Sequence, residues 1–477
     1  MEELTVRHGG TLPSYTRIIE EYEPRSSKTQ SISLLINSAV GAGMLSFPFA
    51  FKCAGLVGGM SLLVVIAVMQ CFTLYVLSGW ADRTSTKTYG ELVKTSLGSR
   101  ASFFLNGVMS TYLFGSGVAY MLIIGDSFTS LWRMCLKMTF MRDAKKTAMQ
   151  DVWWASRNFV ICVVSIVTVL PVCLKKSLSD SAAVSMLNFV AFLLIIVCLV
   201  MYSILALMQS PRPFENVAMM PVSMDALMKA VSISVFCFQC HAQVIAVFNE
   251  MTDVPSKVPF YFKYLFLDPK RDDGSNDDEQ RRSSKLFLMT EVIITAIALT
   301  AFGYALVGVP AYLAFPTKVQ SNVFNTFDQD EPVMQFARGV VGLLQIASYP
   351  VNHFPARAAI GDIVGTLVGQ QPSGYGFIYV ETLVFFGLNL LIAMYVTDLG
   401  AVFEIIGGTC GSIIILGMPS LLLLNHSLKK VVKKRGRGSM SGYLVLLEYW
   451  DFWAGILLFL FSSGLFVYAV LAAFAKS

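Results

Sequence analysis

The sequence has few charged residues and lacks the short motifs by which common enzymes are recognised. Aspartate, glutamate, lysine and arginine make up 14% of its 477 residues, against about a quarter in a typical soluble domain. The net charge of +5 is small for this length and argues against a nucleic-acid partner, which needs a basic face on a folded domain. No HExxH, GxSxG, Walker A or dinucleotide GxGxxG occurs. We therefore predict no enzymatic activity, no cofactor and no pumping driven by ATP.

The sequence also shows neither a disulfide framework nor a cleavable signal peptide. Most of the nine cysteines lie within or beside apolar runs, where free cysteine behaves as a small apolar side chain. Cys237 and Cys240 have CxxC spacing, but the second pair that a zinc site needs is missing. The first thirty residues are polar, which predicts a disordered cytosolic tail over residues 1–30.

Long apolar runs, in contrast, are abundant. Hydrophobic residues make up 55% of the chain and the mean hydropathy is +0.62. A helix needs about 20 apolar residues to cross a bilayer, so the runs predict an all-α membrane protein with about eleven transmembrane helices. The predicted spans are 31–51, 58–80, 103–132, 158–173, 182–208, 228–248, 286–315, 333–360, 376–396, 402–424 and 449–475.

The loops between the spans predict an orientation. Cytosolic loops are enriched in lysine and arginine, and these residues concentrate in segments 83–100, 257–285 and 429–437. One loop, 133–157, opposes the pattern. The majority places the N-terminus in the cytosol, and the odd number of spans then places the C-terminus outside the cell or in a lumen.

The first predicted span is interrupted by Gly41-Ala42-Gly43. Transporters built from inverted repeats place their binding site where membrane helices are broken, because lipid cannot satisfy the freed backbone groups. The amides after such a break form the positive end of a half-helix and suit a substrate carboxylate. The alternative is a small-residue face for helix packing.

Polar residues interrupt the third and sixth spans. Gln239, His241 and Gln243 lie in an apolar run without glycine or proline, and intramembrane polar residues usually face a cavity or a partner helix. His241 is either a packed histidine or a proton-responsive residue. Asp126, toward the outer end of the third span, is either an interfacial carboxylate or a gate.

The eighth span suggests a cation site. Pro350 and Pro355 remove helical hydrogen bonds and free the carbonyls one turn before them. Together with the Ser348 hydroxyl and the Asn37 amide, these oxygens are ligands suited to a small cation. The alternative is a proline kink that binds no ion.

These segments together resemble the sodium-coupled neutral amino acid transporters of the amino acid/auxin permease family. The likeness is spread in the right order from about residue 30 to about residue 425. It rests on residues 37–45 with Phe47-Pro48, 88–93, 123–126, 236–241, Ser348-Tyr349-Pro350 with Phe354-Pro355, and 398–400 before Gly407-Gly408.

The resemblance implies a LeuT-type fold of five helices, an inverted second five and one extra helix. Within one transporter domain, 31–475, the first repeat would cover 31–208, the second 228–424 and the extra helix 449–475. The substrate would meet the backbone of Val40, Gly41, Ala42, Gly43 and Met44, and the carbonyls near Phe236, Cys237 and Phe238. The family's sodium site would fall on Asn37, Val40, Ala347 and Ser348.

We therefore predict a secondary active transporter, monomeric in the lipid bilayer, that moves glutamine-like or small neutral amino acids with sodium ions or protons. The alternative hypothesis is an amino acid sensor with a transporter fold that signals to a cytosolic partner. The short loop after the fifth span resembles that of lysosomal and vacuolar members. We accordingly expect a lysosomal or vacuolar membrane rather than the plasma membrane.

Overall fold

The computed structural model describes residues 26–139, 153–175, 181–210, 214–251, 276–328, 331–372, 374–435 and 449–475, and every structural statement below concerns these residues. Most of the predicted N-terminal tail lies outside them. The prediction of an all-α membrane protein is confirmed: in the described ranges, the only β element is one bridge between Ser26 and Met251. This bridge ties the start of the first span to the end of the sixth.

Helices occupy all eleven predicted positions. By length and apolarity, eight could cross a bilayer, or nine when the bent pair of the first span is counted as one. The main segments, in order of the spans, are Lys28–Val40 with Phe47–Ala54, Leu56–Thr84, Ser99–Thr139, Arg157–Val164 with Leu170–Cys173, Ser181–Gln209, Met224–Cys237 with His241–Glu250, Asn276–Ala314, Pro332–Val368, Tyr375–Tyr395, Leu399–Ile406 with Met418–Arg435, and Trp450–Ala475. A short helix, Tyr89–Leu97, lies between the second and third spans.

The first and sixth spans are broken at corresponding places in the two halves of the chain. In the first span, a turn at Gly41-Ala42 and a 3₁₀ segment, Gly43–Ser46, join two helices bent by 49°. In the sixth span the helix stops at Cys237 and restarts at His241. The break in the first span was predicted from its glycines, whereas the break in the sixth has no glycine or proline to announce it.

The eighth span contains two internal prolines, Pro350 and Pro355, but they do not break its helix. Its helix continues from Pro332 through Pro350 and Pro355 to Val368, so the missing amide hydrogen bonds do not interrupt it. The tenth span instead contains two π-helical segments, Gly407–Gly411 and Ile413–Gly417. Such segments in a long helix mark local widening of the helical turn.

The broken spans lie in the middle of the bundle. The third span packs along the eighth, and the seventh packs against the first, second and fifth. The eleventh span lies at the periphery, where apolar side chains such as Leu457 and Leu471 are exposed. An exposed apolar belt around a buried centre is the surface that a bilayer requires. We call the end of the bundle that holds Lys28 the near end, and the opposite end, which holds Ala54, the far end.

Candidate functional site

The two helix breaks touch each other. A methyl group built on Gly43 would lie 2.8 Å from both Cα and Sγ of Cys237. This distance is shorter than the contacts that a Cβ atom makes in folded proteins. Only glycine therefore allows this approach between the first and sixth spans. The Cys237 thiol also donates to the Gly43 carbonyl at 3.2 Å.

Local sequence explains the restart in the first span. The second half-helix opens with Phe47-Pro48, and proline is tolerated in a first turn because its missing N–H would be unpaired there anyway. In the sixth span, the Phe238 and Gln239 amides bond the carbonyls of Ser234 and Phe236. These bonds end the helix without a specialised cap residue.

Tyr304 of the seventh span joins the two breaks. Its buried hydroxyl lies 2.9 Å from the Ala39 carbonyl and 2.7 Å from the Cys237 carbonyl. Its ring stacks on Phe47 at a centroid distance of 4.5 Å. Carbonyls that lose their helical partners at each break thus share one donor.

A cavity of about 230 Å³ lies beside the breaks. It extends along the near half of the first span and the second half of the sixth, so it is directed toward the near end. Its polar lining is rich in amides and hydroxyls, and Glu250 is the one charged residue among the described lining residues. The lining comprises Leu34, Asn37, Ser38, Ala39, Gly41, Ala42, Gly43, Tyr112, Leu113, Ser116, Tyr120, Asn188, Phe236, Gln239, Gln243, Ala246, Val247, Glu250, Ser348, Val351 and Asn352.

Half of the predicted substrate residues line this cavity. Gly41, Ala42, Gly43 and Phe236 do so. The other four are buried and lie outside the lining; they are Val40, Met44, Cys237 and Phe238. The substrate contacts of all eight residues stay predictions.

Two of the four predicted cation ligands face the same cavity. Asn37 of the first span and Ser348 of the eighth line it, although 311 residues of sequence separate them. Val40 is buried behind the lining, and Ala347 is half-buried beside Ser348. The cation site stays a prediction.

His241 and Asp126 lie outside the cavity. His241 is fully buried, and its Nε2 lies 2.8 Å from Thr73 Oγ1. Asp126 lies toward the far end, where its Oδ1 accepts from Arg157 Nε at 2.9 Å. Its Oδ2 accepts from the side-chain amides of Asn322 and Asn325, both at 3.0 Å.

The Asp126 contacts are part of a closure at the far end. The loop after the seventh span carries Asn322 and Asn325 across the bundle to the third. The first span also holds this loop, because Ser46 Oγ donates to the Ser321 carbonyl at 2.5 Å. Ser321 Oγ in turn bonds Asp398 at 2.6 Å. The far end is therefore joined by direct hydrogen bonds, whereas the cavity is directed to the near end.

Sequence reasoning missed several residues of this site. Asn188, Ser116 and Tyr120 line the cavity, and Tyr304 holds its frame. Asn188 carried a usable signal, since it is a lone amide in the apolar run of the fifth span. The two tyrosines carried none, because a tyrosine in a membrane helix is equally common in packing.

Comparison with known proteins gives a consistent result. The family model described as transmembrane amino acid transporter protein matches residues 24–267 and 277–443. Sodium-coupled neutral amino acid transporter 7 of Xenopus laevis is 26% identical over 434 residues, covering 90% of this chain and 86% of that protein. Vacuolar amino acid transporter 2 of Saccharomyces cerevisiae is 23% identical over 436 residues, covering 88% of this chain and 80% of that protein.

The fold also matches a solved structure. The crystal structure of MhsT in complex with L-phenylalanine aligns with a TM-score of 0.54 at 14% identity, covering 92% of this chain and 100% of that one. MhsT has the LeuT fold, so the predicted fold class is confirmed. At this identity the likeness concerns the fold alone.

Proposed function

Since this chain belongs to the transmembrane amino acid transporter family, we propose that it carries neutral amino acids by alternating access, coupled to sodium ions or protons. The observation that carries the proposal is the meeting of two helix breaks at one cavity in the middle of the bundle. Broken membrane helices expose carbonyls at the end of one half-helix and amides at the start of the next. An amino acid presents an ammonium group to the former and a carboxylate to the latter.

The lining of the cavity supports a substrate with an uncharged side chain. The ammonium and carboxylate of a zwitterion cancel, so a neutral amino acid needs no counter-charge from the protein. Glu250, the charged lining residue, lies eleven residues beyond Gln239 along the sixth span. It therefore belongs to the near-end mouth rather than to the breaks, where Gln239, Ser116 and Asn352 offer neutral polar groups.

We assign cation binding to Asn37, Val40, Ala347 and Ser348. The Asn37 and Ser348 side chains reach one cavity from different spans, and amide, hydroxyl and carbonyl oxygens are the ligands that hard cations prefer. A cation held there would contact both the first and the eighth spans, so cation binding would depend on the relative position of these two spans.

The asymmetry of the bundle supports alternating access. The cavity is directed to the near end, while Asp126 and Ser46 hold the loop at the far end. Transport requires the opposite arrangement in turn, with these bonds broken and the near half of the first span closed. In this cycle Asp126 acts as a gate residue.

The orientation and membrane are also proposals. The basic loops favour a cytosolic near end and a C-terminus, after the eleventh span, in a lumen. One relative is named a vacuolar amino acid transporter, which fits a lysosomal or vacuolar membrane.

The test uses the full chain purified into proteoliposomes. Liposomes loaded with unlabelled L-glutamine or L-alanine are diluted into the same labelled amino acid, and counterflow is measured with and without sodium. We expect saturable counterflow of at least one of them. If neither these nor a panel of neutral amino acids exchange above protein-free liposomes, the proposal is wrong.

A further inference from the structure

A row of buried polar side chains lies between the eighth and ninth spans, outside the cavity. We call it the polar seam. The eighth span contributes Tyr349, His353 and Arg357, whose spacing of four residues places them on one helical face. The ninth contributes Glu381, Thr382 and Asn389. All six residues are less than 9% exposed.

The charges of the seam converge on Glu381. Its Oε2 lies 3.3 Å from His353 Nε2 and 3.1 Å from Arg357 Nε. Arg357 has other acceptors as well: its Nη2 donates to the Cys173 carbonyl at 2.5 Å and to Thr382 Oγ1 at 2.7 Å. The Cys173 carbonyl lies at the C-terminal, negative end of the fourth span, and Thr382 belongs to the ninth. Arg357 therefore stays solvated by protein when the charge on Glu381 changes.

Four polar atoms of the seam have no hydrogen-bond partner among the described residues. They are Glu381 Oε1, His353 Nδ1, the Tyr349 hydroxyl and Asn389 Oδ1. Each buried polar atom without a hydrogen-bond partner destabilises the fold, and a purely structural role for the seam does not explain four together. Buried titratable groups in membrane helices commonly mark proton pathways, and a buried polar atom without a protein partner can bond a proton or an ordered water molecule.

The seam connects the wall of the cavity to the near surface. At one end, a methyl group on Gly117 would lie 2.5 Å from Asn389 Oδ1 and 3.3 Å from a Tyr349 ring carbon. The neighbours Ser116 and Ser348 line the cavity. At the other end, Arg357 Nη1 donates to the carbonyl of exposed Lys175 at 3.1 Å. Arg357 lies eight positions after Tyr349, which corresponds to about 12 Å along the helix axis.

We propose that Glu381 and His353 together bind the proton that is coupled to amino acid movement. The inference rests on the transport function proposed above and assigns one of its coupling ions to a site. The pair takes one proton from water on one side of the membrane and releases it to water on the other. The bound proton raises the net charge of the seam by one.

The other titratable groups that face the pair do not compete for this role. From the eighth span these are Arg357 and Tyr349, and from the fourth span it is the Cys173 thiol, which is buried against Arg357 and Glu381. Arginine does not release its proton in proteins. Tyrosine and cysteine keep theirs at neutral pH in an apolar site. We therefore assign the proton to the Glu381–His353 pair, whose Oε2 and Nε2 atoms lie 3.3 Å apart.

The experiment uses the full chain in sodium-free proteoliposomes with a pH-sensitive dye inside and labelled L-glutamine or L-alanine outside. An imposed difference of one pH unit stores about 1.4 kcal/mol per proton, so one-proton coupling gives about tenfold accumulation. We expect the wild-type chain to approach this ratio and to move protons with the amino acid. Glu381→Gln is expected to keep counterflow but to bring accumulation down to about onefold.

Glu404→Gln is the matched control. Glu404 is also a buried membrane carboxylate, 2% exposed and 3.8 Å from Lys229 on a different face of the bundle. Its variant is expected to keep proton-driven accumulation. Wild-type accumulation in Glu381→Gln, or loss of it in both variants alike, overturns the assignment.

A second variant decides the matter if Glu381→Gln does not fold. His353→Gln removes the titratable ring and keeps a hydrogen-bonding side chain, and we expect a flatter dependence of counterflow on pH between about pH 5 and about pH 8. An unchanged pH profile with unchanged proton movement overturns the proposal. Wild-type counterflow without proton movement refutes the proton site alone, whereas absence of counterflow refutes the transport function.

Discussion

Replacing Gly43 by alanine tests whether contact between the two helix breaks is needed for transport. The added methyl group would lie 2.8 Å from Cys237 Cα, a backbone atom that cannot rotate away. Carbon atoms pack at about 3.5 Å or more, so the two breaks must separate by about 0.7 Å. Overpacking of this kind costs about 1–3 kcal/mol.

The separation has a second effect through Tyr304. Its hydroxyl contacts the Ala39 carbonyl on one break and the Cys237 carbonyl on the other, at 2.9 and 2.7 Å. When the breaks move apart by about 0.7 Å, one of these contacts exceeds hydrogen-bond distance, and a buried hydrogen bond worth about 0.5–1.5 kcal/mol is lost. The two effects together predict a loss of about 2–4 kcal/mol, or about 30-fold or more in substrate affinity if it falls on the bound state.

The assay compares three glycine-to-alanine variants in proteoliposomes by the concentration dependence of labelled L-glutamine or L-alanine counterflow. Gly43→Ala is expected to raise KM strongly. Gly41→Ala places its methyl group 3.2 Å from the Tyr120 hydroxyl, the end of a side chain, and should have a smaller effect. Gly464→Ala in the eleventh span meets nothing within 4 Å and serves as the control.

Thermal unfolding of the detergent-solubilised variants separates loss of the site from loss of the fold. Alanine in a helix is favoured over glycine by about 0.5–1 kcal/mol, so Gly464→Ala should be as stable as wild type or slightly more so. If Gly43→Ala matches Gly464→Ala in both KM and unfolding temperature, the breaks do not need to touch and the site is placed wrongly.

Three further predictions concern the cation, the gate and the frame of the site. Asn37→Ala should raise the sodium concentration for half-maximal uptake about tenfold or more without changing protein abundance. Ser348→Thr, which keeps the hydroxyl, should keep the sodium dependence of uptake. If the sodium dependence of Asn37→Ala is unchanged, the proposed ion site is wrong. Asp126→Asn weakens charge-assisted hydrogen bonds worth about 1.5–3 kcal/mol, so the far end should open more often. A cysteine introduced by Ser46→Cys should then react with an impermeant maleimide about tenfold faster than in the Ser46→Cys variant that keeps Asp126. Tyr304→Phe should lower both substrate affinity and unfolding temperature, and an effect on neither would show that its hydroxyl is dispensable.

The bundle was predictable because hydropathy alone determines which segments cross a bilayer. The family assignment and the transporter class, as opposed to an enzyme, are confirmed by the family match. The first break was predictable because Gly41 and Gly43 lower the cost of leaving the helix. The break after Cys237 was not, since no glycine or proline marks it. It depends on tertiary contacts: Gly43 leaves room for the approach of Cys237, and the Tyr304 hydroxyl donates to the Cys237 carbonyl.

The polar seam was invisible in the sequence for a different reason. Glu381 lies near the beginning of the ninth span, where a charged residue usually marks the membrane interface. Its partner His353 lies between Pro350 and Pro355, which the sequence pattern links to a cation site instead. Only the packing of the eighth span against the ninth brings the two within 3.3 Å, and no local pattern encodes that pairing.

The Tyr304 hydroxyl has one hydrogen to give and two carbonyls that compete for it. The single hydrogen is therefore shared between the first and sixth spans, and neither carbonyl receives a full hydrogen bond from it. The ammonium group of an amino acid would add donors on the cavity side, which Ala39 lines. In an amino acid carrier these added donors would make the loaded frame the more rigid one, so that both half-helices move together only when cargo is present.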